Sequence, residues 1–167
     1  EDAAARMVDS QLAGAARLIR EMGMQPKAGP DWAQRLLWRM GRLYLLAQAY
    51  QKLDNLPVES QADVRYLLGW NVNQEELLQN NAGVLDDWLV LSTRTDEDEK
   101  TGLRTQVNWL WGKESRRAAQ ILQFAHRNQP MDTSLAPGLV ARGELVFFPG
   151  AYPLRGIFKQ MQLASPV

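Results

Sequence analysis

Apolar residues recur at helical spacing through the first half of the chain. From Asp2 to Met22 they fall every three or four residues and trace one stripe along an α-helix. Gly23 can end this helix because glycine tolerates a positive φ, and Pro26 and Pro30 prevent its continuation. The pattern therefore predicts one uninterrupted first helix.

Further helical segments follow in the first half. A second helix is predicted to begin at Asp31, a good N-cap residue with a glutamine three positions later, as in a capping box, and to run to about Leu53. Shorter helices are predicted over residues 60–68 and 74–79, the last of them capped by Asn73. The short connections favour antiparallel packing of neighbouring helices.

The second half changes to the two-residue period of β-strands. The clearest hairpin joins Trp88–Thr95 to Leu103–Trp111 through a predicted loop at Asp96–Gly102. Leu139–Phe148 and Leu154–Met161 are predicted as two more strands, joined by a turn rich in proline and glycine. Helices first and strands afterwards are typical of α+β proteins.

One side of the strand Leu103–Trp111 is apolar. Leu103, Thr105, Val107, Trp109 and Trp111 share that side, and Arg104, Gln106 and Asn108 share the other. Burying a tryptophan removes roughly 150–250 Å² from water, worth about 4–6 kcal/mol at ~25 cal/mol per Å². We therefore expect the side with Val107, Trp109 and Trp111 to form a core covered by the helices. A surface for stacking single-stranded bases and a tryptophan-anchored protein interface are the alternatives.

Residues 115–126 fit either a helix or a strand, and intrinsic propensity alone favours helix by a modest margin. With or without that segment, the predicted fold class is α+β. An N-terminal helical half of three to four helices, residues 1–83, packs with a C-terminal antiparallel sheet of about five strands, residues 84–167. The sheet could curl into a small barrel, which would remove its exposed edges.

Composition excludes several classes of function. The chain has 46% apolar and 23% charged residues, which is ordinary for a soluble globular protein. It contains no cysteine, so disulfide frameworks, thiolate zinc sites and cysteine nucleophiles are excluded. No apolar run is long enough to cross a bilayer and no leader peptide is visible, so we expect a cytoplasmic protein without a membrane partner. Because the chain opens with Glu1 rather than Met, we expect it to be a piece of a longer protein.

The net charge of zero hides an uneven distribution. Residues 84–99 carry a net charge of −5, whereas residues 100–167 have 9 basic and 3 acidic side chains, a net of +6. The basic last third could attract phosphate or an acidic protein surface. The alternative is that the acidic run Asp96–Glu99 folds back and neutralises part of it.

Few residues offer catalytic chemistry. His126 is the single histidine, so it has no second histidine or cysteine with which to share a metal, and we expect it at the surface. Asp96–Glu99 lacks the glycine and spacing of a calcium loop and is interpreted as a solvated hairpin loop. Asp86 and Asp87 are adjacent in a strand and point to opposite faces, which weakens a paired-carboxylate site. No phosphate-binding loop or nucleophile elbow is present, so we do not expect an enzyme.

Several segments together resemble the bacterial SWIM zinc finger family proteins. They are Ala5–Gln11 (ARMVDSQ), Trp88, Gln106–Gly112 (QVNWLWG), Gln120–Ala125 (QILQFA), Leu135–Gly138 (LAPG) and the most specific piece, Glu144–Arg155 (ELVFFPGAYPLR). The resemblance covers nearly the whole chain. It implies a hydrophobic strand at Gln120–Ala125, so a strand is predicted there in place of a helix.

The chain departs from this family at its defining feature. The Cys-x-Cys…Cys-x-His zinc motif cannot be supplied by a chain without cysteine. The resemblance implies that the motif lies N-terminal to Glu1 and that this chain follows it, so zinc is expected only outside this chain and no cofactor within it. It also implies a partner in a system of MoxR-type AAA ATPases and von Willebrand A-type proteins.

The functional hypothesis is a non-enzymatic interaction domain that docks a partner protein. The alternative is a nucleic-acid-binding module that uses the basic, tryptophan-containing β half. No catalytic or metal-binding residue is predicted in either case. The candidate binding residues are Arg104, Trp109, Trp111, Lys113, Arg116, Arg117, Arg142 and Arg155.

Overall fold

The computed structural model describes residues 2–24, 29–98 and 101–164. By its internal contacts the chain divides into two compact units. One, here called the helical unit, comprises Glu1–Val72 and Pro149–Ala151, and the other, the strand unit, comprises Asn73–Phe148 and Tyr152–Val167. The helices come first and the sheet is C-terminal, so the α+β class is confirmed.

The described residues form five α-helices, of which the last belongs to the strand unit. They are α1 (Asp2–Asp9), α2 (Ala13–Gly23), α3 (Trp32–Gln51), α4 (Val58–Leu68) and α5 (Gln74–Asn80), with a short 3₁₀ turn at Leu53–Asn55. None of the described helices has both the length and the apolarity needed to cross a bilayer.

The prediction of one uninterrupted first helix is wrong, because the chain turns at Gln11. This residue adopts a φ of 60°, in the left-handed region. The Gln11 N–H donates to the Val8 carbonyl at 2.8 Å, and the Leu12 N–H donates to the Met7 carbonyl at 2.8 Å. These two bonds form a Schellman motif with Gln11 at C′, a position where glycine is the usual residue. The extra helix raises the count above the predicted three to four.

Of the two predicted helix caps, one makes the expected side-chain hydrogen bonds and the other does not. Asn73 caps α5 as predicted, since its Oδ1 accepts from the backbone N–H of Glu75 at 3.0 Å and of Glu76 at 3.5 Å. Asp31 occupies the N-cap position of α3 but makes no side-chain capping bond. Its ψ of 18° lies outside the extended region in which a cap side chain reaches back to the first turn.

The helical unit has its own core. One face of α3 packs there through Leu43, Leu46 and Ala49 against side chains of the neighbouring helices. The buried members of the cluster are Ala15, Leu18, Leu46, Val64 and Leu68.

The strands of the strand unit close into a ring. They are β1 (Val84–Asp98), β2 (Leu103–Gly112), β3 (Ala118–His126), β4 (Val140–Phe147) and β5 (Arg155–Ala164). Their order around the ring is β1-β2-β3-β5-β4, and β4 pairs with β1 to close it. Residues 118–126 form a strand, as the family resemblance implied and as propensity alone did not.

The sheet is mixed rather than antiparallel as predicted. Four of its pairings are antiparallel, but β3 and β5 run parallel, with Gln120 opposite Arg155 and Ile121 opposite Gly156. The reason is one of parity. Five strands in a closed ring cannot alternate in direction at every junction, so at least one junction must be parallel.

The inward face of β2 is the opposite of the one predicted. Gln106, Asn108 and Leu110 are buried, with 4%, 0% and 0% of their surface exposed. Trp111 is 37% exposed, and Val107 and Trp109 are only half-buried. The expectation that Val107, Trp109 and Trp111 form the core is therefore wrong. The interior apolar cluster consists of Trp88, Val90, Leu110, Ala119, Ile121, Leu135, Ala141 and Leu145.

The buried amides are accommodated because they bond to one another. Gln106 Nε2 donates to Gln123 Oε1 at 2.8 Å and to the Asp132 carbonyl at 2.9 Å. Asn108 Nδ2 donates to the same Gln123 oxygen at 3.1 Å, and Thr93 Oγ1 lies 2.9 Å from Asn108 Oδ1. A buried polar group costs little once it is hydrogen-bonded, so polar side chains can face the interior here.

The acidic run belongs mostly to a strand and not to a loop. β1 extends to Asp98, and its last residues pair with the start of β2. Glu97 lies opposite Arg104 and also accepts from Arg127 Nε at 2.9 Å. Pairing with these cations allows a charged segment to continue the ladder. Glu99 of the predicted loop lies outside the described residues.

Candidate partner-binding cleft

A cleft opens at the end of the ring where β2 finishes. Its volume is about 290 Å³. It lies between the β2–β3 turn and the segment that leads into β5. That segment is held against β3, because the Gln120 N–H donates to the Leu154 carbonyl at 2.7 Å. The lining residues are Trp111, Arg116, Arg117, Ala118, Tyr152, Pro153 and Leu154.

Trp111 forms the aromatic wall on the β2 side. It points outward because Leu110, its neighbour, points into the core. In the sheet it lies opposite Leu89 of β1 and Ala118 of β3. The methyl group of Ala118 is too small to cover an indole ring, so a flat apolar surface remains accessible beside the turn.

The β2–β3 turn presents two arginines to the cleft. It is closed by bonds from the Gly112 N–H to the Arg117 carbonyl at 2.9 Å and from the Arg116 N–H to the Gly112 carbonyl at 3.1 Å. Arg116 has a φ of 54°, a left-handed conformation that is uncommon for a long side chain. Such strain is frequent at binding sites, where the surrounding structure enforces it.

Asp86 enforces this turn from inside. Its carboxylate accepts the backbone N–H groups of Asp87 at 2.7 Å, Glu114 at 3.1 Å and Ser115 at 2.8 Å. Gly112 makes room for it, because a Cβ there would stand 2.5 Å from Asp86 Oδ2 and 2.3 Å from Ser115 Oγ. The buried Asp86 carboxylate thus satisfies backbone N–H groups of the turn that have no backbone carbonyl as acceptor.

The pKa of Asp86 reflects two opposing influences. Burial acts to raise it, but hydrogen bonds from the backbone N–H groups of Ser115, Glu114 and Asp87 outweigh burial. The net result is a pKa below the ordinary value for aspartate, so Asp86 is ionised near neutral pH. Asp86 is buried whereas Asp87 is half-buried, in keeping with their predicted opposite directions.

Cations stack on phenylalanines beside the cleft. The Arg117 guanidinium carbon lies 4.0 Å from the ring centroid of Phe147, and that of Arg155 lies 4.3 Å from the ring centroid of Phe148. Both distances are within the range of cation–π interactions. The lining contains no carboxylate or imidazole, and the Tyr152 phenol, 81% exposed, is its remaining aromatic group.

The structure brings together three of the predicted binding residues, Trp111, Arg116 and Arg117. Lys113 is exposed in the same turn. Arg104 lies at the other end of β2, where its Nη2 donates to the backbone carbonyls of His126 and Gln129.

The remaining predicted residues occupy the strands. Trp109 is half-buried on β2, opposite Gln120. Arg142 on β4 has its Nε 3.9 Å from Asp87 Oδ1. Arg155 opens β5 and stacks on Phe148. Arg104, at the far end of β2, therefore lies apart from the arginines of the cleft.

Three contributors to the cleft are not among the predicted binding residues. The sequence predicts only that Tyr152 lies in a turn and that Leu154 begins a strand. For Asp86 it offers only half of a weak carboxylate pair. A signal for Tyr152 would have needed the parallel β3–β5 pairing, which is long-range. For Asp86 the signal was local, since it is a carboxylate next to a predicted strand of large apolar residues.

The described residues contain no group of three or more histidine, cysteine, aspartate or glutamate side chains that could hold a metal ion. His126 is exposed at the end of β3. The chemistry that the cleft offers is the binding of an anionic group by two guanidinium groups beside aromatic surfaces.

The helical part of the chain matches a known family model. Residues 1–68, which contain α1 to α4, match the model described as the SWIM-associated four-helix bundle domain. No curated protein and no solved structure gives a match. The matched range includes the Ala5–Gln11 segment that resembles SWIM zinc finger family proteins, and it ends before the strand unit begins.

Proposed function

We propose that this chain is a non-catalytic interaction domain of a SWIM-associated protein, and that its cleft binds an acidic segment of a partner protein. The observation that carries the proposal is the lining of the cleft. Two arginines, an exposed tryptophan and an exposed tyrosine converge there without any carboxylate to neutralise them. Tryptophan, tyrosine and arginine are the residue types that most often dominate binding energy at protein interfaces.

The preformed turn favours specific binding. Because Asp86 already fixes the backbone of Glu114 and Ser115, the arginines that follow lose little backbone freedom when a ligand binds. Each charge-assisted hydrogen bond between a guanidinium and a carboxylate contributes about 1.5–3 kcal/mol. Two such contacts supply about 3–6 kcal/mol, so a micromolar complex, which corresponds to about 8 kcal/mol, also requires apolar contacts with Trp111 and Tyr152.

The family match on residues 1–68 supports the context of this proposal. In that context the partner belongs to a system of MoxR-type ATPases and von Willebrand A-type proteins in the cytoplasm, and zinc is bound by a motif outside this chain. Co-purification with the full-length parent protein, compared with a parent lacking this segment, tests the partner. Recovery of the same ATPase or von Willebrand A-type protein without the segment would contradict it.

The cleft itself is tested with defined peptides. A short fluorescein-labelled peptide rich in Asp, Glu and Tyr should bind, and its counterpart with Asn and Gln should not. Arg116→Asn removes one cation while keeping a residue that tolerates the left-handed backbone. Together with Arg117→Gln it should weaken binding at least about tenfold. Arg17→Gln together with Arg94→Gln removes an equal charge at two exposed positions outside the cleft lining and serves as the control. Equal binding of both peptides, or equal losses in test and control variants, would count against the cleft.

Single-stranded nucleic acid is the second candidate ligand. The accessible Trp111 beside two guanidinium groups favours it, since bases stack on aromatic side chains next to arginines. Two phosphate contacts predict a slope of about −1.4 for log affinity against log salt with a labelled oligonucleotide. Binding of the oligonucleotide with this slope, lost in Trp111→Ala, would favour nucleic acid over an acidic peptide.

A further inference from the structure

A second apolar face runs along α3, away from the helical core. The core face carries Leu43 and Leu46. The other face carries four large side chains that are mostly exposed, Leu37 at 71%, Trp38 at 60%, Tyr44 at 63% and Leu45 at 67%. So many exposed large apolar groups on one helix exceed what single, scattered surface residues explain.

These side chains are arranged symmetrically about Gly41. Leu37 and Leu45 lie four residues to either side of it, and Trp38 and Tyr44 lie three residues to either side. At about 100° per residue all four fall within roughly 60° of the direction of Gly41. A Cβ at Gly41 would meet nothing within 4 Å, so the helix backbone is open at the centre of this face.

We propose that this face of α3 binds a second copy of the chain, with the two α3 helices antiparallel and crossing at Gly41. A two-fold axis at that point brings Leu45 of one copy against Trp38 of the second, and Leu37 against Tyr44. An isologous interface requires such a self-complementary patch. The pattern supplies it because every large side chain has its counterpart at the mirrored position.

The area available suits a weak dimer. At 60–71% exposure the two aromatic side chains offer about 120 Å² each and the two leucines about 70 Å² each, so the pair of helices buries roughly 800 Å². Weak and transient complexes have interfaces of this size. Gln34 and Gln48 flank the face and supply a polar rim.

Charge at the rim makes the dimer distinguishable from other complexes. The Arg42 guanidinium carbon lies 4.8 Å from the ring centroid of Trp38, at the edge of the face. The two-fold axis brings both Arg42 side chains to the same side of the contact, and the sequence of α3 contains no acidic residue to separate them. Salt screens this repulsion, so dimerisation should strengthen as salt is added.

Sedimentation equilibrium over a concentration series tests the association. The mass of the chain should rise from 18.9 kDa towards twice that value. The double variant Leu37→Glu, Leu45→Glu should raise the dissociation constant at least about tenfold. Val58→Glu, at a residue of α4 that is 74% exposed, is the matched control and should dimerise as the unmodified chain does.

Two further variants separate association from folding and fix the geometry. Gly41→Gln places a better helix former in α3 and fills the crossing point, so it should weaken the dimer without lowering the melting temperature. The chain has no cysteine, so Gly41→Cys should form a disulfide-linked dimer on mild oxidation. Leu37→Cys should not, because the two copies of that residue would lie about 12 Å apart along the helices.

Several results would overturn the proposal. They are a mass that stays at 18.9 kDa throughout the series, assembly beyond the dimer, equal effects of the Leu37/Leu45 and Val58 variants, and cross-linking of Leu37→Cys as efficient as that of Gly41→Cys. Weaker association at higher salt would also contradict it, and would indicate an acidic partner for this face.

Discussion

Gly14 and Gly69 lie back to back in the helical unit. A Cβ on Gly69 would stand 2.5 Å from the Gly14 nitrogen, and a Cβ on Gly14 would stand 2.9 Å from the Gly69 nitrogen. Gly69 caps α4 with a φ of 101°. The start of α2 therefore touches the end of α4 through backbone alone, a closeness that only glycine permits.

This contact predicts a large effect of a single methyl group. Gly14→Ala would bring its Cβ to 2.1 Å from the Leu67 carbonyl oxygen, a backbone atom that cannot move aside. We expect a loss of about 1–3 kcal/mol in the free energy of unfolding, measured by urea denaturation. Gly23→Ala is the control, because a Cβ there meets nothing within 4 Å. A Gly14→Ala protein as stable as the control would show that the two helices are farther apart.

Asp86→Asn should loosen the arginine turn. An asparagine keeps the shape but turns one acceptor oxygen into a donor that faces a backbone N–H, so at least one of the three bonds is lost. We expect about 1–3 kcal/mol less stability and weaker binding of the acidic peptide. Asp87→Asn, on the adjacent half-buried residue, is the control. Unchanged stability in Asp86→Asn would mean that the turn holds without the carboxylate.

The lowered pKa of Asp86 predicts how the free energy of unfolding depends on pH. The pKa of Asp86 is lowered in the folded protein, and so is the pKa of Asp132, chiefly by the hydrogen bond from the Ser134 backbone N–H. The folded state then binds fewer protons than the unfolded state near pH 4. This stabilisation is complete above the unfolded pKa of about 3.9 and is lost as the pH falls through the lower folded values.

Urea midpoints measured between neutral pH and about pH 2 check this sign. The difference between the unmodified chain and Asp86→Asn should shrink as the pH falls below about 4, because protonation then affects only the aspartate. A difference that grows on acidification would contradict a lowered pKa for Asp86.

Local pattern predicted the elements better than their orientation. Period alone located the helices and most strands, because one face of each is apolar. The direction of β2 could not be predicted in this way, since Asn108 is buried only because Thr93 and Gln123 reach it from two other strands. Gln11 ended a helix without any of the usual residues for that role.

Part of the candidate cleft could also be predicted from local sequence. Trp111, Arg116 and Arg117 are close in sequence, so a single turn could bring them together. Tyr152 enters through the parallel β3–β5 pairing, and that pairing follows from closing five strands into a ring. Closure of the ring depends on the whole sheet, so the residue pattern of a single strand does not predict it.

The buried amides of β2 carry a prediction of their own. Asn108→Leu keeps nearly the same shape but removes one of the two hydrogen bonds to the Gln123 side-chain oxygen and one of the two made by the Thr93 hydroxyl. A lost hydrogen bond costs about 0.5–1.5 kcal/mol, so unfolding by urea should show a loss of about 1–3 kcal/mol for the two. Gln162→Leu, on the exposed side of β5, should change stability by less than about 0.5 kcal/mol. A more stable Asn108→Leu protein would argue that the interior prefers an apolar side chain.

Two tryptophans on neighbouring strands should respond in opposite ways to truncation. Trp88 is fully buried, and its Nε1 donates to the Gly143 carbonyl at 3.1 Å, whereas Trp111 is 37% exposed in the cleft. Trp88→Ala should cost about 3–5 kcal/mol of stability, because it leaves a cavity in the interior of the ring. Trp111→Ala should cost much less and should instead weaken binding of the labelled acidic peptide. Urea denaturation and peptide titration of both variants separate the two roles. Loss of peptide binding together with full stability in Trp111→Ala identifies this side chain as part of the binding surface. A loss of stability as large as that of Trp88→Ala would instead show that Trp111 is part of the core.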